Sequence, residues 1–99
     1  PLAARSGMLF IFAKDGSRSF WMKNTPISLD MLFFASDGRL VGIITNTEPY
    51  SLTARKSQKA AQYVLEIGGG EAARLGLGSL TRLHLPVAAA VNSAGSQEK

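Results

Sequence analysis

Residues 19–34 read SFWMKNTPISLDMLFF, and this stretch indicates the fold of the chain. Two short apolar runs flank a polar Lys-Asn-Thr-Pro segment, where Pro26 lacks the backbone N–H that a continuous strand would use. Short apolar runs separated by turn residues are typical of β-strands. The stretch also holds the sole tryptophan and three of the five phenylalanines. The question it raises is whether the polar segment is only a turn or also a binding site.

The same alternation of apolar runs and turn residues continues along the chain. Asp15-Gly16 and Asp37-Gly38 each follow an apolar run, and each predicts a hairpin turn. Gly76 predicts the end of a short helix at about residues 70–76. We expect a mostly β fold, a small antiparallel barrel-like domain with this one helix, over residues 1–87, followed by a flexible tail at 88–99. Strands are predicted at 8–12, 20–23, 29–35, 39–45, 63–67 and 80–87.

The amino-acid composition argues against several classes of functional site. The 99 residues contain no cysteine and one histidine, which argues against disulfides, thiolate chemistry and a His-rich metal site. Eleven basic and seven acidic residues give a net charge of +4, but the basic residues are scattered rather than concentrated on one face, so we expect no nucleic-acid partner. No apolar run approaches the roughly 20 residues of a membrane helix, and no signal peptide is recognisable.

Trp21 and Lys23 share one face of their predicted strand, while Phe20 and Met22 face the other way, towards the core. Two interpretations of the first pair are open. Trp21 either covers an apolar patch or forms the floor of a ligand groove in which Lys23 supplies a positive charge.

Asn24 and Thr25 carry the same ambiguity. Their side chains can bond nearby backbone groups in a turn, and this is sufficient to explain them. In the alternative interpretation they make polar contacts with a ligand bound at the neighbouring tryptophan.

Asp30 opens the run 31–35, which is apolar at every position and therefore predicted to be buried on both faces. A carboxylate left there without a partner would cost several kcal/mol. Lys23 or Arg39 could pair with it, or the Thr25 hydroxyl could donate to it. A structural network and an acid/base catalyst both fit this pattern, and the sequence does not separate them.

Glu66 is the second carboxylate inside a predicted strand, and we expect it to face solvent or a cleft. With Asp30 it could form a catalytic or metal-binding pair, although no spacing supports one.

Five segments together resemble a known prokaryotic family of unknown function, called DUF192 or UPF0127. They read GMLFIF at 7–12, FWMKNTPI at 20–27, LDMLF at 29–33, DGRLV at 37–41 and YVLEI at 63–67. The resemblance extends from about residue 7 to residue 85. It implies a small β-rich barrel-like domain and a periplasmic or otherwise exported protein, and it implies no established biochemical activity.

The chain departs from the family pattern at two places. An N-terminal strand and a Gly-Leu-Met segment are expected before residue 7 and are missing, which would expose a sheet edge and allow homo-oligomers to form. Gly78-Ser79 stands where a Gly-Asp pair is usual.

We therefore expect a non-enzymatic binding or accessory domain for a small molecule or a protein, with no cofactor, metal or catalytic residue. The loop at 46–62 would frame its site. An enzyme that uses Asp30 as acid or base is one alternative, and a purely structural or protein-interaction module is another. The predicted ligand-binding residues are Trp21, Lys23, Asn24, Thr25, Asp30 and Glu66.

Overall fold

The structure is a computed structural model that describes residues 7–84 and 97–98. In these ranges the chain forms two β-sheets and one helix. The larger sheet is antiparallel, with the strand order β1-β6-β3-β4, and the smaller sheet has the order β5-β2-β7. The elements are β1 (Gly7–Gly16), β2 (Ser19–Trp21), β3 (Leu29–Phe34), β4 (Leu40–Ile44), β5 (Arg55–Lys56), β6 (Ala61–Gly68), α1 (Glu71–Arg74) and β7 (Gln97–Glu98).

Strand β3 lies inside the larger sheet, between β6 and β4, and all six of its residues are buried. This confirms the prediction made from its unbroken apolar run. Alternate side chains of β3 enter two different cores, because successive residues of a strand point to opposite faces.

The first core fills the space between the two sheets. Phe20 of the smaller sheet packs its ring 5.7 Å from that of Phe10 and 6.1 Å from that of Phe33, both in the larger sheet. Met22 is completely buried in the same cluster. The prediction that Phe20 and Met22 face the core is therefore confirmed.

The second core lies on the opposite face of the larger sheet, under α1. Leu32 and Phe34 of β3 meet Ala72 of the helix, and Leu77 and Leu83 of the following segment cover them. The helix lies where the sequence predicted it, and it is followed by Gly76 at a φ of +69°.

Two features of the predicted topology are corrected. Within the described residues the strands form two open sheets rather than a closed barrel. Asp37-Gly38 does connect the antiparallel pair β3 and β4, but Asp15-Gly16 forms the end of β1, which does not pair with β2, so the hairpin predicted there is wrong. β1 pairs with the distant β6, and Gly16 pairs with Ala61 after a register shift. Burial of apolar side chains across these two long strands outweighs the local turn preference of an Asp-Gly pair.

The end of the chain is described only in part. Of the strand predicted at 80–87, residues up to 84 are described, and they contain one isolated bridge between Arg82 and Arg39. Of the predicted tail at 88–99, only Gln97–Glu98 lies within the described residues, and it pairs in parallel with β2. The remaining residues of both predictions lie outside the described residues.

Candidate functional site

The Lys-Asn-Thr-Pro segment forms a tight turn at the end of β2. The Thr25 N–H donates to the Met22 carbonyl oxygen at 3.0 Å, which places Lys23 and Asn24 at the tip of a β-turn. Both tip residues are exposed, and Thr25 is half-buried. The structure therefore brings Lys23, Asn24 and Thr25 together at one surface next to Trp21.

Trp21 and Lys23 interact directly. The Lys23 Nζ lies 5.4 Å from the centroid of the Trp21 ring, within the range of a cation–π contact. The ring is half-buried, so part of it faces solvent. Lys56 is exposed on the neighbouring strand β5, opposite Ser19, which puts it diagonally across from Trp21 on the outer face of the smaller sheet.

A loop after β4 clamps this turn through two backbone hydrogen bonds. The Met22 N–H donates to the Ser51 carbonyl at 3.1 Å, and the Tyr50 N–H donates to the Thr25 carbonyl at 2.9 Å. Tyr50 adopts a left-handed conformation with φ of 59°, and 60% of its surface is exposed. A bulky residue in this conformation is strained by roughly 1–2 kcal/mol. The backbone hydrogen bonds of the loop must therefore offset this conformational strain.

Thr47 fastens the same loop to the core. Its hydroxyl accepts from the Leu29 N–H at 3.0 Å and lies 3.1 Å from the Leu29 carbonyl oxygen, and its own N–H donates to that carbonyl at 2.9 Å. Sequence reasoning missed this residue. A threonine in a polar loop carries no signal of burial, because its partners are 18 positions away in the chain.

Asp30 is completely buried and bonds three backbone N–H groups. Its Oδ1 accepts from Asn46 at 2.8 Å and from Gly70 at 3.1 Å, and its Oδ2 accepts from Ala72 at 2.9 Å. The carboxylate thus caps the first turn of α1, a position that also favours negative charge. It also joins that helix to the end of β4.

The partners predicted for Asp30 were Lys23, Arg39 and the Thr25 hydroxyl, and these predictions are wrong. The hydrogen bonds observed for Asp30 come from backbone N–H groups instead. Lys23 contacts the Trp21 ring, and the Arg39 Nε lies 3.8 Å from the Asp37 Oδ2. Backbone donors can reach a buried carboxylate without bringing a second charge into the core, which avoids a second desolvation cost.

Glu66 is also buried, at 1% exposure, and the expectation that it would face solvent or a cleft is wrong. It lies opposite Met31 in the sheet register, whereas Asp30 lies opposite Ile67. Cross-strand partners share a face and neighbours alternate, so Glu66 and Asp30 project to opposite faces of the larger sheet. The two carboxylates therefore do not form a pair.

Arg18 is a second buried polar residue that the sequence did not reveal. Its guanidinium lies 3.8 Å from the Phe12 ring centroid, its Nε donates to the Ala61 carbonyl at 2.8 Å, and its Nη2 donates to the Lys14 carbonyl. Burial lowers the pKa of this guanidinium, and the charge of Asp15 opposes that shift. The side chain ties the connection between β1 and β2 to the start of β6, so its role is structural.

Other site types find no support in the described part of the chain. There is no group of three or more metal-binding side chains among the described residues. No helix in these residues is long and apolar enough to cross a membrane. An open depression of about 440 Å³ is lined by Gly76, Gly78, Ser79, Leu80 and Thr81, and none of these belongs to the predicted site.

Comparison with known proteins identifies the family. The model of the family DUF192, described as "Uncharacterized ACR, COG1430", matches residues 1–85. The chain belongs to the DUF192 family. This confirms the resemblance seen in the five sequence motifs. No curated protein matches the chain.

Two solved structures resemble this DUF192 domain. A protein from Sinorhizobium meliloti, described as a candidate transcription regulator, is 41% identical with a TM-score of 0.79, and the match covers 83% of this chain and 64% of that one. A protein of unknown function from Novosphingobium aromaticivorans is 40% identical with a TM-score of 0.75, covering 79% of this chain and 56% of that one. The chain therefore spans about two thirds or less of either neighbour.

Proposed function

We propose that this DUF192 chain is a binding domain whose ligand surface is the exposed turn at Lys23 and Asn24 together with Thr25 and the Trp21 ring. The observation that carries the proposal is the Lys23 ammonium group 5.4 Å from a partly exposed tryptophan. A flat apolar ring beside a positive charge suits a ligand that combines an anionic group with an apolar or planar surface.

The support beneath this surface favours binding rather than catalysis. Two backbone bonds to the Tyr50 and Ser51 segment hold the turn, and a preformed surface loses less entropy when a ligand binds. Asp30 is fully buried, with hydrogen bonds to both oxygens, so in this proposal it positions the scaffold and does not touch the ligand. Glu66 is also interior and takes the same supporting role.

An enzyme that uses Asp30 as acid or base is the weaker alternative. A general acid or base must come within hydrogen-bond reach of its substrate. The Asp30 oxygens instead face the N–H groups of Asn46, Gly70 and Ala72 inside the protein.

Transcription regulation finds no support in the helix of this chain. One neighbour is described as a candidate transcription regulator, and that description concerns the neighbour alone. The helix α1 has four residues, which is too short for a DNA-recognition helix.

Trp21 provides its own assay because it is the sole tryptophan in the chain. Its fluorescence would be titrated with two anionic probes, polyglutamate and dextran sulfate, and with neutral dextran as the uncharged reference. We expect at least one anionic probe to change the emission. Lys23→Gln should weaken that binding by about 1 kcal/mol, or roughly fivefold.

Lys14→Gln is the matched control, since Lys14 is an exposed lysine in the other sheet. The proposal would be abandoned if both anionic probes left the emission unchanged. It would also fail if the two lysine variants bound the probes equally well.

We also propose an extracytoplasmic location, which is supported only by the family resemblance. Fractionation of cells that produce the native protein tests it, and recovery in the cytoplasmic fraction would refute it.

A further inference from the structure

Tyr50 stands in a backbone conformation that disfavours its side chain. Residues 48–51 form a β-turn, closed by a hydrogen bond from the Ser51 N–H to the Glu48 carbonyl at 3.3 Å. Pro49 takes the second position and Tyr50, with its φ of 59°, takes the third, as in a type II turn. That third position favours glycine or asparagine. A glycine would make the same backbone hydrogen bonds without the strain.

Packing does not explain why a tyrosine is there. Tyr50 is 60% exposed and belongs to neither of the two hydrophobic cores. The other described non-glycine residue with a positive φ is Asn46, a residue type that tolerates this conformation. Strain that persists under an exposed aromatic side chain indicates that the side chain serves something other than folding.

Two turns lie side by side at this surface. The turn at 22–25 directly follows the tryptophan and carries Lys23, and the turn at 48–51 carries Tyr50. The Tyr50 N–H donates to the Thr25 carbonyl at 2.9 Å. The backbone of Tyr50 therefore lies directly beside the ligand surface proposed above.

The main-chain groups of these turns are engaged with one another. The N–H groups of Met22, Thr25, Tyr50 and Ser51 all donate to carbonyl oxygens within the two turns. A peptide that docks as an added strand needs free main-chain groups. This surface therefore offers a ligand its side chains rather than its backbone.

Those side chains suit an acidic sugar chain. Trp21 and Tyr50 each combine an apolar ring with a polar tip, so the C–H face of a sugar ring can lie against the aromatic ring while its hydroxyls bond the tip. The exposed Asn24 amide both donates and accepts hydrogen bonds. The exposed Lys23 supplies a positive charge for an acidic group.

We propose that Tyr50 contacts the ligand, and that the ligand surface spans both turns and takes neighbouring ring units of an acidic carbohydrate chain. The proposal rests on the binding surface proposed above and names its ligand class. In this arrangement Trp21 and Tyr50 each meet a sugar ring, and Lys23 pairs with an acidic group.

The test compares two polyanions by Trp21 fluorescence. Polygalacturonate carries its carboxylates on sugar rings, and polyglutamate carries the same group on a peptide chain. We expect the parent to bind polygalacturonate more tightly than polyglutamate. Tyr50→Gly should weaken polygalacturonate binding by roughly fivefold or more, because it removes an aromatic contact. Tyr50→Phe keeps the ring and should bind nearly as tightly as the parent.

Two controls separate binding from folding. Leu52→Ala removes an apolar side chain that is 68% exposed in the same loop, and it should bind polygalacturonate like the parent. In urea, Tyr50→Gly should unfold at the same concentration as the parent or a higher one. Tyr50→Ala should unfold at a lower concentration than Tyr50→Gly, because alanine keeps a Cβ at a positive φ.

Three results would overturn the proposal. They are unfolding of Tyr50→Gly at clearly lower urea than the parent, polygalacturonate binding that Tyr50→Gly leaves unchanged, and tighter binding of polyglutamate than of polygalacturonate. If either polyanion still bound in a manner dependent on Lys23, the proposed binding surface would stand and only the role of Tyr50 and the ligand class would fall. If neither bound the parent, both proposals would fall.

Discussion

At the scale of single residues, Asp30 shows how a buried charge is accommodated in a small domain. Its two oxygens bond three backbone N–H groups, one from Asn46 after β4 and two, of Gly70 and Ala72, at the start of α1. A charge-assisted bond of this kind contributes more than a neutral one. The residue that looked most like a catalyst in the sequence is therefore a junction between β3, the end of β4 and the first turn of α1.

Asp30→Asn should lower the free energy of unfolding by about 3 kcal/mol. An amide can accept through only one of its two groups, so the other group would face a buried N–H donor. The thermal midpoint of a domain of this size should then fall by roughly 4–8 °C for each kcal/mol lost, which calorimetry measures.

Asp37→Asn is the control for this substitution. Asp37 is exposed, and the Arg39 backbone N–H lowers its pKa most, with smaller contributions from the charges of Arg39 and Arg82. Its folded pKa is depressed, so its stabilising effect is present at neutral pH and is lost only as the pH falls through that value. If Asp30→Asn proved as stable as Asp37→Asn, the Asp30 carboxylate would be kept for a ligand rather than for the fold.

At the scale of elements, the two Asp-Gly pairs show when the local sequence is enough to predict a turn and when it is not. Asp37-Gly38 forms the predicted hairpin, since Gly38 adopts a φ of +87° that other residues rarely reach. A Cβ at Gly38 would lie 2.4 Å from the Leu83 carbonyl oxygen. Glycine is therefore required for two reasons, the positive φ and the lack of room for a side chain. Asp15-Gly16 carries the same signal but lies at the end of a strand. Gly16 pairs there with Ala61, which is 45 residues further along the chain.

Gly38→Ala and Gly76→Ala separate conformational strain from steric overlap. Both glycines have positive φ, but a Cβ at Gly76 meets nothing within 4 Å. We expect Gly76→Ala to cost about 1 kcal/mol from conformation. Gly38→Ala should cost roughly 3 kcal/mol, because a backbone atom of Leu83 must also move. Urea unfolding of both variants measures the difference, and equal losses would show that the close approach of Gly38 to Leu83 is dispensable.

At the scale of the whole molecule, Phe20 couples the two sheets. It belongs to the smaller sheet and packs against phenylalanines of the larger one, so neither sheet buries its apolar face without the other. We expect Phe20→Ala to lose about 3–5 kcal/mol. Trp21 fluorescence and circular dichroism should report the same unfolding midpoint in the parent, as two-state unfolding requires.

The exposed Leu52 provides the comparison for that measurement. Leu52→Ala should change the free energy of unfolding by no more than about 0.5 kcal/mol. A fluorescence transition at lower urea than the circular dichroism transition would contradict the coupling, since it would mean that the smaller sheet unfolds by itself.

The sequence by itself determined the elements with strong local signals. The buried strand β3 follows from an unbroken apolar run, and the shared surface of Trp21 and Lys23 follows from alternation along a strand. The hairpin at Asp37-Gly38 and the helix ended by Gly76 follow from turn and capping chemistry. These signals act over a few residues, and that is why they can be read without a structure.

Only the tertiary structure decided which segments meet. It placed Thr47 against Leu29, joined Asp30 to Ala72, and put Asp30 and Glu66 on opposite faces of one sheet. It also replaced the expected barrel with two open sheets among the described residues. These outcomes depend on pairing between segments far apart in the chain, where the packing of the whole core selects the register and no single stretch of sequence encodes it.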